Sequence, residues 1–106
     1  LEVRTDNWLV SDGFILSGPK CHIPAGNWLL EVDLVQPEWA SIVVDVVANG
    51  GIDRLFHLTA YGNIRGSFAF EKLGTHAFLE VRLRVEDAMP EQWISVQNVQ
   101  LRKVGR

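Results

Sequence analysis

The apolar positions of this chain recur with a period of two, the repeat of a strand with one buried face and one wet face. From Trp28 to Val35, Trp28, Leu30, Val32 and Leu34 share one parity, and Leu29, Glu31, Asp33 and Val35 share the other. Two carboxylates on one strand face must meet water or a cation, because burying them unpaired is costly. The first set therefore faces a core. Ser41 to Ala48 repeats the design, with Ile42, Val44 and Val46 inward and Asp45 outward. Phe78 to Val85 is the clearest case: Leu79, Val81, Leu83 and Val85 face in, while Glu80, Arg82 and Arg84 face out. Ser67 to Glu71 is shorter, with Phe68 and Phe70 inward. Val3–Val10 alternates weakly, Phe14–Leu16 is a short apolar run, and Lys20–Ile23 is expected to be extended because it leads into Pro24. Asp53 to Tyr61 is too evenly apolar to assign a register, as in a strand covered on both faces or lying at a partner surface.

The closing stretch, Trp93 to Lys103, changes phase. Ile94 and Val96 have one parity, Val99 and Leu101 the other. Both pairs can face the core only if an extra residue is inserted between them, which predicts a β-bulge at Gln97-Asn98. Turn residues punctuate the runs: Pro24-Ala25-Gly26-Asn27, Pro37-Glu38-Trp39, Asn49-Gly50-Gly51, Gly62-Asn63 and Leu73-Gly74-Thr75-His76. A polar loop, Glu86 to Gln92, contains Pro90, and Asp87-Ala88-Met89 in it allows one short turn. No helical period of useful length is present. About eight strands joined by tight turns predict one all-β domain over residues 1–106, an antiparallel two-sheet sandwich of jelly-roll type. In jelly-roll order the Asp45 strand neighbours the Arg82 strand, and the Glu31 strand neighbours the closing strand with Gln100 and Arg102. Cross-strand ion pairs then account for the outer charges at ~0.2–1 kcal/mol each.

Composition narrows the classes of function. At 106 residues the chain can build one core, and 47% hydrophobic content is enough to fill it. The ten Lys and Arg are scattered and the net charge is −3, which argues against a nucleic-acid or anionic-membrane footprint. No apolar run approaches the ~20 residues of a membrane-spanning helix. The start, Leu1-Glu2-Val3-Arg4, has neither a signal pattern nor an initiator Met, as expected of a mature form or an excised domain. The single cysteine, Cys21, allows no intrachain disulfide and reads as a small buried hydrophobe beside Ile23, so the compartment stays open.

The signals from Ile23-Pro24-Ala25-Gly26-Asn27-Trp28 through Val44-Asp45-Val46, Gly66-Ser67-Phe68-Ala69-Phe70, Thr75-His76-Ala77-Phe78 and Trp93-Ile94-Ser95-Val96 form an ordered set. It resembles the galactose-binding-like jelly-roll modules, including carbohydrate-binding modules appended to bacterial carbohydrate-active enzymes. It is also similar to small sandwich domains attached to bacterial glycosyltransferases, in which a Gly-Pro pair precedes the turn as Gly18-Pro19 does here. The resemblance implies a non-catalytic accessory module whose partners are a glycan or polysaccharide and an appended catalytic domain. It departs from the family in one place: Ser95 and Gln97 stand where an Asn and an acidic residue follow the closing aromatic, here Trp93. A structural calcium is frequent in such modules, but only Glu2 and Asp87 offer themselves as ligands, too few for six or more oxygens. No metal or cofactor is predicted.

Sugar recognition needs a flat aromatic for the ring face and planar polar groups for the hydroxyls. The aromatics at turns are Trp39, Tyr61 and Trp93, with Trp8 a lesser candidate, and Arg82 is the best polar candidate. The competing reading is that each aromatic caps an end of the sandwich. Catalysis has little support: His22, His57 and His76 lie in three elements, none at metal spacing, and His57 reads as half-buried. Glu31 and Asp33 sit about 7 Å apart on one strand, and nothing else in the sequence marks them as a glycosidase pair, which would need a cleft. The runner-up to a glycan-binding module is a protein-interaction or oligomerisation domain, for which Leu29, Val35, Val43 and Val47 supply outward apolar surface.

Overall fold

The computed structural model describes residues 7–9, 13–17, 22–74 and 78–105. Eight strands follow in chain order: β1 (Asn7–Leu9), β2 (Gly13–Ser17), β3 (Gly26–Val35), β4 (Ser41–Ala48), β5 (Asp53–Tyr61), β6 (Ile64–Lys72), β7 (Leu79–Val85) and β8 (Trp93–Lys103). They form two four-stranded sheets, β1-β8-β3-β6 and β2-β7-β4-β5, with every pairing antiparallel. Only the β4–β5 connection stays within one sheet; the other successive strands cross from one sheet to the other. That order is a jelly roll.

The period-two pattern is what stacks the sheets. Leu30, Val32 and Leu34 from β3 and Ile94, Val96 and Val99 from β8 meet Val44, Val46, Val81 and Leu83 from the other sheet, all buried. Trp28 joins this core, with its indole N–H donated to the Pro24 carbonyl at 3.0 Å. Phe70 is buried as expected, and Leu101 packs at the edge of the core. The bulge falls where the phase change places it: Asp33 pairs with Asn98 and Leu34 with Val96, so Gln97 is the extra residue.

The β4–β5 turn explains its own composition. Asn49, Gly50 and Gly51 all have positive φ, at 55°, 70° and 90°. Glycine adopts this region freely, and asparagine tolerates it better than most residues. The β3–β4, β5–β6 and β7–β8 connections gather at the opposite end. There Gly62 N–H bonds the Ala40 carbonyl at 3.0 Å, and the Gln92 side-chain amide reaches the Ser41 carbonyl at 3.3 Å. Gln36 is buried in the same cluster, donating its amide to the Gly62 carbonyl while its backbone N–H bonds the Asn63 side chain.

Several expectations need correction. Asp45 faces outward by parity but is 0% exposed, and Val47 beside it is buried too. The outer face of the β2-β7-β4-β5 sheet is covered at its centre by the long side chains of β7. β5 is not covered on both faces: Leu55, Phe56, Leu58 and Ala60 are half-buried, whereas Arg54, His57, Thr59 and Tyr61 are exposed. His57 is therefore exposed rather than half-buried, on the outward parity of the edge strand β5. The Phe68 strand begins earlier than expected, at Ile64. Leu29, Val35 and Val43 are only half-exposed, and the large exposed apolar residues lie instead at turns and ends. Glu2, Cys21 and His76, and most of the Val3–Val10 segment, lie outside the described residues.

Candidate functional site

The outer face of the β1-β8-β3-β6 sheet carries a polar groove of about 280 Å³, lined by Glu31, Asp33, Arg65, Gly66, Ser67 and Asn98, with Val32 beneath. Strand register builds it. Central β3 presents Glu31 and Asp33; β6 sets Ser67 opposite Glu31 and Arg65 opposite Asp33; β8 sets Asn98 on the other flank of Asp33. The bulge at Gln97 is what returns Asn98 to this face. Ser67 and Asn98 make no side-chain hydrogen bond with any described residue. Asp33 has only a loose approach from Arg65, 3.9 Å, and the Arg65 side chain is 87% exposed. Glu31 is more committed, paired with Arg102. The groove thus offers a carboxylate, an amide, a hydroxyl and a guanidinium with little internal partnering. Its volume lies just below the ~300–1,000 Å³ of small-molecule clefts, room for roughly one or two sugar rings.

The groove runs toward the end of the sandwich where the predicted aromatics lie. Leu34 pairs with Ile64 at the last step of the β3–β6 ladder, and the turns carrying Gln36–Ala40 and Gly62-Asn63 follow directly. Trp39, in the turn closed by Ala40 N–H on the Pro37 carbonyl, is 53% exposed. Tyr61, opposite Ser41, is 71% exposed at the same end, but it lies on the outer face of the other sheet, away from the groove. Met89, in the β7–β8 loop, is exposed at the same end. Trp93 begins β8 there as well, but it is half-buried. Three of the four predicted site residues therefore share one end of the molecule, and two of them show broad aromatic surface to solvent.

The fourth, Arg82, is elsewhere. It lies across β4 on the outer face of the other sheet, opposite Asp45, which is four residues along β4 from Ser41 and so about 13 Å away. Its Nε and Nη2 donate to the two Asp45 carboxylate oxygens at 2.9 Å each. Arg84 flanks the same carboxylate at 3.9 Å and donates to Glu86 at 2.9 Å. The hydrogen bonds to Asp45, helped by the Asp45 and Glu80 charges and opposed by burial, hold the Arg82 guanidinium above the usual arginine range. This cluster is a structural clasp: its carboxylate is saturated by its own neighbours. The expectation that cross-strand pairing explains these charges holds here, as it does for Glu31 with Arg102.

The remaining chemistry is sparse. His22 is exposed and stacks edge-on to Phe78, with ring centroids 4.3 Å apart. Among the described residues no three His, Cys, Asp or Glu side chains are grouped to hold a metal ion, and no helix is long and apolar enough to cross a membrane. Sequence reasoning missed Asp33, Arg65, Ser67 and Asn98 as one cluster. The only signal pointing to it was the predicted bulge, which places Asn98 on the outer face. Comparison with family models, with curated proteins and with solved structures finds no match.

Proposed function

We propose that the chain is a non-catalytic carbohydrate-binding module that holds a glycan across the polar groove, with Trp39 supplying an aromatic face at the end of the sandwich beside it. The observation that carries this reading is the groove itself: Asp33, Ser67, Asn98 and Arg65 converge with few internal partners, next to an end where Trp39 is exposed. Hydroxyl-rich ligands need fixed, unpaired, planar polar groups, and pyranose faces need flat apolar ones. In this role the module works beside a carbohydrate-active enzyme, and the galactose-binding-like resemblance of the sequence supports it.

A titration of intrinsic tryptophan fluorescence against a panel of soluble polysaccharides tests it. At least one polysaccharide should shift the emission, because Trp39 is open to solvent. Asn98→Ala and Trp39→Ala should each weaken that binding at least about tenfold, the loss of roughly one good contact, with an unchanged unfolding midpoint. Silence across the panel, or binding indifferent to both substitutions, would remove the proposal. The second reading, a protein-docking surface, is favoured by exposed Trp39, Tyr61 and Met89 at one end. It predicts that Trp39→Ala disrupts association while Asn98→Ala leaves it intact.

A further inference from the structure

We propose that β6 pairs with β6 of a second copy of this chain, antiparallel and centred on Phe68, joining two four-stranded sheets into one of eight strands. The free edges of the two sheets are unequal. Among the described residues, β1 spans 3 residues and β2 spans 5 with a register break. β5 has 9, but its ladder with β4 breaks between Val46 and Val47. β6 also has 9 residues, pairs with β3 in unbroken register from Gly26↔Lys72 to Leu34↔Ile64, and contains no proline. No described residue outside β3 bonds its backbone. Natural sheets blunt such edges with bulges, prolines, shortness or charge; β6 has no bulge or proline and is not short, and its charges are confined to Arg65, Glu71 and the terminal Lys72.

The occupant is read from the sequence of the edge. Its outward residues are Arg65, Ser67, Ala69 and Glu71, all exposed. Arg65 and Glu71 each lie three residues from Phe68, so antiparallel self-pairing about Phe68 sets Arg65 of each copy opposite Glu71 of the other. Ser67 then faces Ala69, small against small. A two-fold axis uses each complementary pair twice, which is the signature of an isologous interface. On the inner face, Phe68 meets its own copy at the axis. It now lies half-buried at the open side of the sandwich, where it packs on Phe56 with ring centroids 5.3 Å apart. A second copy would cover it. Arg65, held only loosely by Asp33, is available to turn toward the partner's carboxylate. The proposal does not rest on the glycan reading, although the two share Arg65 and Ser67; association mass tests the first and the polysaccharide titration the second, so either can fail alone.

The test is a charge-exchange series followed by sedimentation equilibrium. The unaltered chain should show dimer mass between ~10 µM and ~1 mM, the range of a modest strand-to-strand interface. Arg65→Glu and Glu71→Arg each place like charges opposite one another twice, and each alone should weaken dimerisation at least about tenfold. Mixed in equal amounts, Arg65→Glu and Glu71→Arg chains restore two opposite-charge pairs across the axis and should form a heterodimer. Both side chains are exposed, and circular dichroism confirms that each variant stays folded. A monomer throughout the concentration range overturns the proposal and leaves the edge to a strand of some other protein. Two single variants that dimerise as well as the parent, or a mixture that stays monomeric, overturn it equally.

Discussion

The buried clasp of Asp45 and Arg82 offers the sharpest check on how this sandwich is held. Asp45 is 0% exposed, and both its oxygens accept from Arg82 at 2.9 Å. Asp45→Ala removes the anion and leaves two arginines, Arg82 and Arg84, side by side on β7 with their shared partner gone. Breaking a buried pair by deleting one member costs about 3–5 kcal/mol. The Arg82 and Arg84 side chains keep 19% and 25% of their exposure, so water can take up part of the loss and the lower end applies. About 3 kcal/mol in a chain of this length lowers the melting temperature by roughly 12 °C or more. Thermal unfolding followed by circular dichroism measures it. A double-mutant cycle with Arg82→Ala should return a coupling of at least ~2 kcal/mol, because the contact is bidentate and its carboxylate is fully buried. Asp33 with Arg65 serves as the internal control: at 3.9 Å and largely exposed, its coupling should stay below ~0.5 kcal/mol. Added salt should erode the control far more than the clasp. If Asp45→Ala costs under ~1 kcal/mol, the carboxylate is behaving as an ordinary surface charge, and the account of the covered outer face fails.

Two further perturbations follow from the backbone. Deleting Gln97 removes the bulge residue and forces either Ile94 with Val96 or Val99 with Leu101 to the outer face, because a one-residue slip reverses parity. The deletion should leave no cooperative unfolding transition in a urea titration, whereas Gln97→Ala should shift the midpoint by no more than ~0.5 kcal/mol. Gly26 has φ of 137°, and a Cβ there would fall 2.2 Å from the Lys103 ammonium, which bonds the Ala25 carbonyl and lies 5.4 Å from the Trp28 ring. Gly26→Ala should therefore cost about 1–3 kcal/mol by chemical denaturation, mostly backbone strain; a neutral result would mean that the strand start rearranges freely.

Alternation along β3, β4 and β7 was enough to say which residues face the core, since parity is a property of one strand and needs no partner. The phase change between Val96 and Val99 likewise announced the bulge, for the same local reason. Jelly-roll order then made Asp45 and Arg82 neighbours, and the register agrees. What parity cannot report is depth. Asp45 reads as outward, yet it is sealed by two arginines from a strand more than thirty residues away. Nor can it report which strands end a sheet, so the open face of β5 and the regular edge of β6 were invisible.

The chain's own pattern determined that this is a two-sheet sandwich and which side of each strand is apolar. Those facts follow from the two-residue repeat and from turn residues acting on their immediate neighbours. The tertiary structure alone decided that Asp33, Arg65, Ser67 and Asn98 share a groove, that Trp39 and Tyr61 gather at one end while Arg82 does not, and that the β6 edge is long and has no strand beside it among the described residues. The physical reason is that these groupings depend on hydrogen-bond register between segments far apart in sequence. That register is set by packing the whole core at once, and no short stretch of residues carries it.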